Sequence, residues 1–255
     1  MAGSIEAKAT RRRRILRGSI AAVLVVFFGF GWLDRSDEAS LSFGDRRRIV
    51  VVSDAGPVEV RSGTENRASH SDSFLVRRPT VELANDGDEA VFRVRCETRW
   101  PCRATTSIEV VPGTELVVIA DAGAVQVHSF AGNLTVFSDR DDVLLGPIAG
   151  SARVVSATGD VAGFGLALEQ LTVELDDASM ALEFAAPPLT VVLTNDSGNV
   201  DLVVPDTGYD LTVVTDDDMA DQVDVGVGAA AETGSTVSIR SGGPVTVSPF
   251  DQATQ

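Results

Sequence analysis

One phrase recurs between Ile119 and Val204, and it limits what the chain can fold into: a small polar turn, then Val-rich pulses. The turns are Ala120-Asp121-Ala122-Gly123, Ser138-Asp139-Arg140-Asp141, Ser156-Ala157-Thr158-Gly159, Asp176-Asp177-Ala178-Ser179 and Asn195-Asp196-Ser197-Gly198. Their second positions, 121, 139, 157, 177 and 196, step by 18, 18, 20 and 19 residues. A period near 20 with strand-forming content is a solenoid signature, because a coil of that size buries its apolar face only by stacking on its neighbours. Aromatic residues make up 5% of the chain, so stacked Val, Leu and Ala must fill the core, which suits a narrow solenoid.

The same phrase opens earlier, at Ser53-Asp54-Ala55-Gly56, and Val58-Glu59-Val60-Arg61 alternates apolar with charged as a half-buried strand does. Residues 62–103 interrupt it. Within them, Thr80–Leu83 and Ala90–Val94 flank Asn85-Asp86-Gly87-Asp88, a hairpin signal. Pro falls at strand ends in Val111-Pro112-Gly113 and Val204-Pro205-Asp206, where a missing N–H does least harm.

The N-terminus reads as an address. Arg11, Arg12, Arg13 and Arg14 precede Gly18–Leu33, which carries no charge. Sixteen helical residues span roughly 24 Å, and Ile15, Leu16 and a snorkelling Arg17 extend that towards the ~30 Å hydrocarbon core. The Arg block stays cytoplasmic, so the chain beyond Asp34 faces outward, with Trp32 as an interfacial anchor. Two readings compete: a cleaved signal peptide, for which no small-x-small site follows the run, and a twin-arginine export signal, which Arg12–Arg17 matches loosely.

The expected organisation is a basic cytoplasmic tail (1–14), a transmembrane anchor (15–33), a stalk (34–45), an extracytoplasmic domain (46–250) and a frayed tail (251–255). On this reading the protein sits in the plasma membrane as a single-pass chain. Its two cysteines, Cys96 and Cys102, lie in exported sequence around Trp100-Pro101, so they are expected to pair. A bridge of that loop length contributes roughly 2–2.5 kcal/mol in the chain-entropy model. Metal binding wants further ligands, and His70 and His128 are distant in sequence. A redox pair is usually Cys-x-x-Cys.

Charge is unevenly placed. Residues 1–35 hold seven basic and two acidic groups, whereas 104–255 hold three Arg against 23 Asp and Glu. So acidic a surface repels phosphate backbones, which argues against nucleic acid as a partner. Asp54, Asp121, Asp139, Asp177, Asp196 and Asp217 occupy equivalent turn positions. The structural reading is an Asx-turn at each, the side chain accepting the N–H two residues on. The functional reading is a divalent-cation ladder, with Asp216, Asp217, Asp218, Asp221 and Asp224 the densest group and Ca²⁺ the candidate ion. No other cofactor is expected. No Gly-x-Ser-x-Gly, Walker loop or Rossmann fingerprint occurs, and the chain reads as a non-enzyme.

Together the Ser/Thr-Asp-x-Gly-x-Val turns, the Val-Pro-x-Gly phrases, the early two-Cys segment and the single N-terminal anchor resemble the adhesin-like bacterial domain of unknown function, over roughly Ile49 to Val247. That resemblance implies a β-helix-like solenoid and brings no catalytic residues with it. Ser156-Ala157-Thr158-Gly159 departs by lacking the Asp, Asp216–Asp221 by lacking the Gly, and Gly226–Ser235 as an Ala/Gly-rich insertion.

The expectation is therefore all-β: a single-stranded β-helix-like solenoid of about 7–8 coils, a rod of roughly 35 Å. A disulfide-bearing hairpin region lies near its N-terminal end, and a separate transmembrane helix precedes it. Open ends need caps, and the Cys region and the Gly226–Ser235 insertion are the candidates. The expected role is binding or envelope structure, with an envelope protein or glycan as partner. An accessory subunit of a membrane signalling system is the alternative. A carbohydrate-active enzyme comes third, since it needs aromatic platforms and paired carboxylates in a groove.

Overall fold

The computed structural model describes residues 35–54, 56–74, 79–96, 102–216, 222–228 and 234–250. In chain order the strands begin with β1 (Arg35–Ser42), β2 (Arg48–Ser53), β3 (Val58–Ser62), β4 (Arg67–Phe74), β5 (Thr80–Asp86) and β6 (Glu89–Arg95). Then come β7 (Cys102–Val110), β8 (Glu115–Ala120), β9 (Val125–Ser138), β10 (Val143–Leu145), β11 (Ile148–Ser156) and β12 (Val161–Asp177). The last are β13 (Met180–Phe184), β14 (Thr190–Ser197), β15 (Val200–Pro205), β16 (Asp210–Thr215), β17 (Val223–Val225), β18 (Thr236–Ser241) and β19 (Val245–Phe250).

These strands form two walls around one apolar core. The A wall runs β1-β4-β7-β3-β9-β10-β12-β13-β15-β19-β17. The B wall runs β5-β6-β2-β8-β9-β11-β12-β14-β18-β16. The long strands β9 and β12 serve both walls. Pairing is parallel throughout except at one end, where β1–β4, β4–β7 and β5–β6 are antiparallel.

Register stacks like on like. In the A wall Val58, Val125, Val143, Val161, Met180, Val200 and Val245 stand level and are at most 1% exposed. In the B wall Val51, Val118, Val136, Val154, Val173, Leu193 and Ile239 do the same. β-Branched side chains suit these columns, because a stiff χ1 loses little on packing against an identical neighbour one strand away. Each such burial stabilises by about 1.5–3 kcal/mol.

The corners need glycine where backbones meet. Gly123 has φ +106°, and a Cβ there would lie 2.2 Å from the Gly56 carbonyl of the next coil. Gly198, at φ +95°, stands equally close to the Ala178 carbonyl. No L side chain fits either position without moving the coil beside it.

Four expectations about the fold need correction. First, nine two-strand coils are present among the described residues, rather than seven or eight, and they span roughly 38 Å at ~4.8 Å per spacing. Second, the coils do not stack in sequence order. β2/β3 lies inside β6/β7, and β18/β19 lies inside β16/β17. Residues 62–103 are therefore not an excursion from the wall. Their strands β4, β5 and β6, with β7 and β1, build the outermost parallel coil and the antiparallel strands beyond it.

Third, the cysteine segment is not a hairpin. β6 belongs to the B wall and β7 to the A wall, so the strands on either side of residues 97–101 do not pair with each other, and the hairpin is β5–β6. Cys96 is disulfide-bonded. Fourth, none of the described residues forms a helix long and apolar enough to cross a membrane. The expected transmembrane helix has no counterpart there. Residues 15–33, with Arg11–Arg14 before them, lie outside the described residues.

Candidate binding face

Two strands carry apolar residues in unbroken runs: Ile49-Val50-Val51-Val52 in β2 and Leu116-Val117-Val118-Ile119 in β8. Successive side chains of a strand point to opposite faces, so such a run is apolar outside as well as in. Here Ile49, Val51, Leu116 and Val118 enter the core at 0% exposure, and Val50, Val52 and Ile119 face outward, half-buried.

Register gathers these outward residues into a stripe. Val52 stands level with Ile119, Ile119 with Phe137, and Phe137 with Val155. Phe137 is 40% exposed. Val91, Val50 and Val117 make a second row beside it. The stripe has charged limits: Arg93 is level with Val52 at one end, and Glu174 with Val155 at the other. Arg153 holds Glu174 at 2.9 Å. On the flank away from the corner, Arg48 bridges Glu89 at 3.3 Å and Glu115 at 3.5 Å.

The opposite flank is the acidic corner. Asp54, Asp121, Asp139, Asp176 and Asp196 follow the last inward residue of successive B-wall strands. Their main chains join the coils: the Asp121 N–H donates to Ser53 O at 3.0 Å and the Asp139 N–H to Ala120 O at 3.2 Å. Ala157 interrupts the row. Arg140 lies across it, with Nε 3.2 Å from Asp139 Oδ2 and Nη2 donating to Asp121 O. A groove of about 240 Å³ runs between stripe and corner, lined by Ile119, Phe137 and Val155 on one side and Asp121, Asp139 and Asp176 on the other.

Not every predicted turn residue falls where the sequence period puts it. Asp176, not Asp177, is level with Asp196, and Asp177 Oδ1 accepts the Ser197 hydroxyl at 2.7 Å. The side chains that bond backbone in these corners are others, and four of these bonds reach across coils. Gly123 N donates to Asp141 Oδ2 at 2.7 Å, Asp160 N to Asp142 Oδ1 at 3.1 Å, Ser179 N to Asp160 Oδ1 at 2.8 Å and Asn199 N to Ser179 Oγ at 3.2 Å. Inside the corner, Ser138 and Ser156 donate to the carbonyls of Asp141 and Gly159, and Ser241 to Gly243.

Of the predicted cation cluster, Asp216 follows β16 in the B wall and Asp224 lies in β17 in the A wall, while Asp217, Asp218 and Asp221 lie outside the described residues. Among the described residues no three His, Cys, Asp or Glu side chains gather to hold a metal. Trp32 and the Arg11–Arg14 block also lie outside them. His128 is exposed on β9. His70 is 3% exposed, with Nε2 3.8 Å from Asp72 Oδ2 and its ring 6.4 Å from that of Phe92. The outward stripe is the feature that sequence reasoning missed, and its signal was the unbroken Val runs.

No protein-family model and no curated relative matches the sequence. Solved structures do resemble the fold. A "putative adhesin" from Bacteroides fragilis is 12% identical with a TM-score of 0.50, covering 85% of this chain and 97% of its own. A "putative lipid binding protein" from Parabacteroides distasonis, also 12% identical, has a TM-score of 0.48 over 84% and 96%. A "putative cell adhesion protein" from Clostridium sporogenes is 9% identical with a TM-score of 0.39 over 85% and 100%. At such identities the first likeness speaks for the fold alone, and the other two carry no further argument.

Proposed function

We propose that the chain is a non-enzymatic, extracytoplasmic envelope protein that presents the outer B wall to a macromolecular partner. The observation that carries this is the stripe Val52–Ile119–Phe137–Val155, apolar on a face that no element of the described chain covers. A rigid parallel wall suits recognition, because little conformational entropy is lost when it binds. The likeness in fold to the Bacteroides fragilis protein is in keeping with an adhesive role. The Arg11–Arg14 block followed by the uncharged run 18–33 supports attachment to the membrane with the solenoid outside.

The test compares wild type with Phe137→Asp, both as full-length chains, for retention of solubilised envelope fractions. Phe137 is on the surface, so the variant keeps its melting temperature. Loss of retention supports the reading. Equal retention by both proteins, or none by either, sinks it.

A further inference from the structure

The stripe and the acidic row beside it define the chemistry of the occupant. We infer that the B-wall groove takes a basic amphipathic helix lying parallel to the solenoid axis. This rests on the reading of the B wall as the binding face. The first argument is spacing. Residues of the stripe repeat at the strand separation, ~4.8 Å, and a helix repeats at 5.4 Å per turn, so successive turns meet successive strands. Val52 to Val155 spans three such separations, roughly 14 Å, which nearly three turns match. An extended peptide along the axis repeats on one face every ~6.6 Å and falls out of step within two strands. It also finds no free backbone to pair with, because β2, β8, β9 and β11 are each paired on both sides.

The second argument is charge. Asp121 and Asp139 lie two residues beyond Ile119 and Phe137, about 6.6 Å along the strand, where the flank of a seated helix would come. Asp176 continues that row past the gap at Ala157. Arg140 offsets one charge of this row, which stays net acidic, so Lys or Arg on that flank complements it, and apolar residues at i, i+4, i+7 and i+11 enter the groove. The same charges disfavour two alternatives. A second copy would set two acidic corners against each other, and an anionic lipid surface would be repelled. A glycan is disfavoured too, because Phe137 is the lone aromatic platform in the stripe.

The experiment titrates the full-length chain against a labelled synthetic helix with Leu at i, i+4, i+7 and i+11 and Lys on the flanking positions, read by fluorescence anisotropy. The comparison peptides have the same composition scrambled, or Glu in place of each Lys. Saturable binding of the Lys helix is expected. Phe137→Asp should weaken it at least about tenfold. Asp121→Asn with Asp139→Asn should weaken it severalfold and flatten its salt dependence. Scrambled peptide binding as tightly as the helix would reduce the effect to bulk charge and overturn the proposal. Self-association that Phe137→Asp abolishes would overturn it in favour of a second copy. No binding of the Lys helix, while envelope retention is still lost in Phe137→Asp, would remove the helix and leave the binding face standing. Loss of neither would remove both.

Discussion

The two ends of the rod meet the same hazard, unpaired strand edges over an open core, and close it to different degrees. At the β6/β7 end antiparallel strands cover the outermost coil, β4 and β1 on the A wall and β5 on the B wall. Phe92, 0% exposed, plugs the core there, with the Phe43 ring edge-on at 6.0 Å and 69°. Buried Asn66 ties the cap together, donating to the carbonyls of Gly44 and Arg46 and accepting the Val111 N–H at 2.8 Å. Among the described residues the β16/β17 end has no such cover. Leu211, Val213 and Val223 face the core but stay half-exposed, Val225, level with buried Val247, is 41% exposed, and Val214 is 53% exposed on the outer side. Exposed Asp210 and Asp224 mark these edge strands, a common guard against pairing with another chain.

What the ends share is more instructive. In each, a coil distant in sequence is inserted one place in from the tip. The C-terminal strands do not fray from the rod end, because β18/β19 are clamped between β14/β15 and β16/β17. Fraying at that tip must start from an internal segment. The cost is kinetic: β16 waits for residues more than twenty positions later, and non-local pairing of that kind slows folding.

The comparison breaks most completely if the inserted coil is removed. Deleting residues 236–255 takes away the strands on which β16 and β17 stack. Amide exchange protection across 210–225 should vanish while 115–205 keeps its own. Protection persisting in 210–225 would mean that this coil docks elsewhere. Single core truncations separate the two ends next. Phe92→Ala should cost about 3–5 kcal/mol in urea denaturation, as for a fully buried ring. Val213→Ala, half-exposed at the bare end, should cost less than about 1 kcal/mol. Equal losses would refute the difference in closure. A smaller contrast concerns corner against loop. Gly123→Ala must push Gly56 aside and should cost about 2–3 kcal/mol, whereas Gly87→Ala meets nothing within 4 Å and should cost about 1 kcal/mol of left-handed backbone strain.

These effects also mark what the sequence could reveal. Strand phase was legible, because Val125, Val143 and Val161 recur every 18 residues and a stacked wall uses them all. The corner positions were legible from Gly and Asp. Stacking order was not. The apolar face of β18 (Val237, Ile239) is interchangeable with that of β14 (Val191, Leu193), so no local property tells β18 to enter between β14 and β16. The work done by the corner carboxylates was misread for a related reason. An Asx-turn is a local bond and can be imagined from four residues, whereas Asp142 reaching Asp160 N joins residues 18 apart and appears only once the coils are stacked. The face was half legible: the Val runs of β2 and β8 stand in plain view, but Phe137 and Val155 join them only through register.

The finest difference between the ends is a single phenol. Tyr209, 1% exposed, closes the turn into β16 by donating its hydroxyl to Pro205 O at 2.7 Å. Tyr209→Phe keeps the ring and loses that bond, while the Pro205 carbonyl still accepts the Thr207 N–H at 2.9 Å, so it should cost about 1 kcal/mol. Burial pushes the Tyr209 pKa above the ordinary value of 10, a hydrogen bond with Thr207 pulls it part of the way back, and the Asp206 carboxylate pushes it up again. With its pKa raised in the folded state, the neutral phenol contributes fully below pH 10, and the contribution falls as the pH climbs from there towards the folded value. Wild type should therefore lose stability above about pH 10 with a slope that Tyr209→Phe lacks at the β16/β17 end. The β6/β7 end has no buried tyrosine, so amide exchange there should show the same alkaline response in both proteins. An identical alkaline slope at 210–225 in wild type and Tyr209→Phe would show that the phenol is not what closes the bare end.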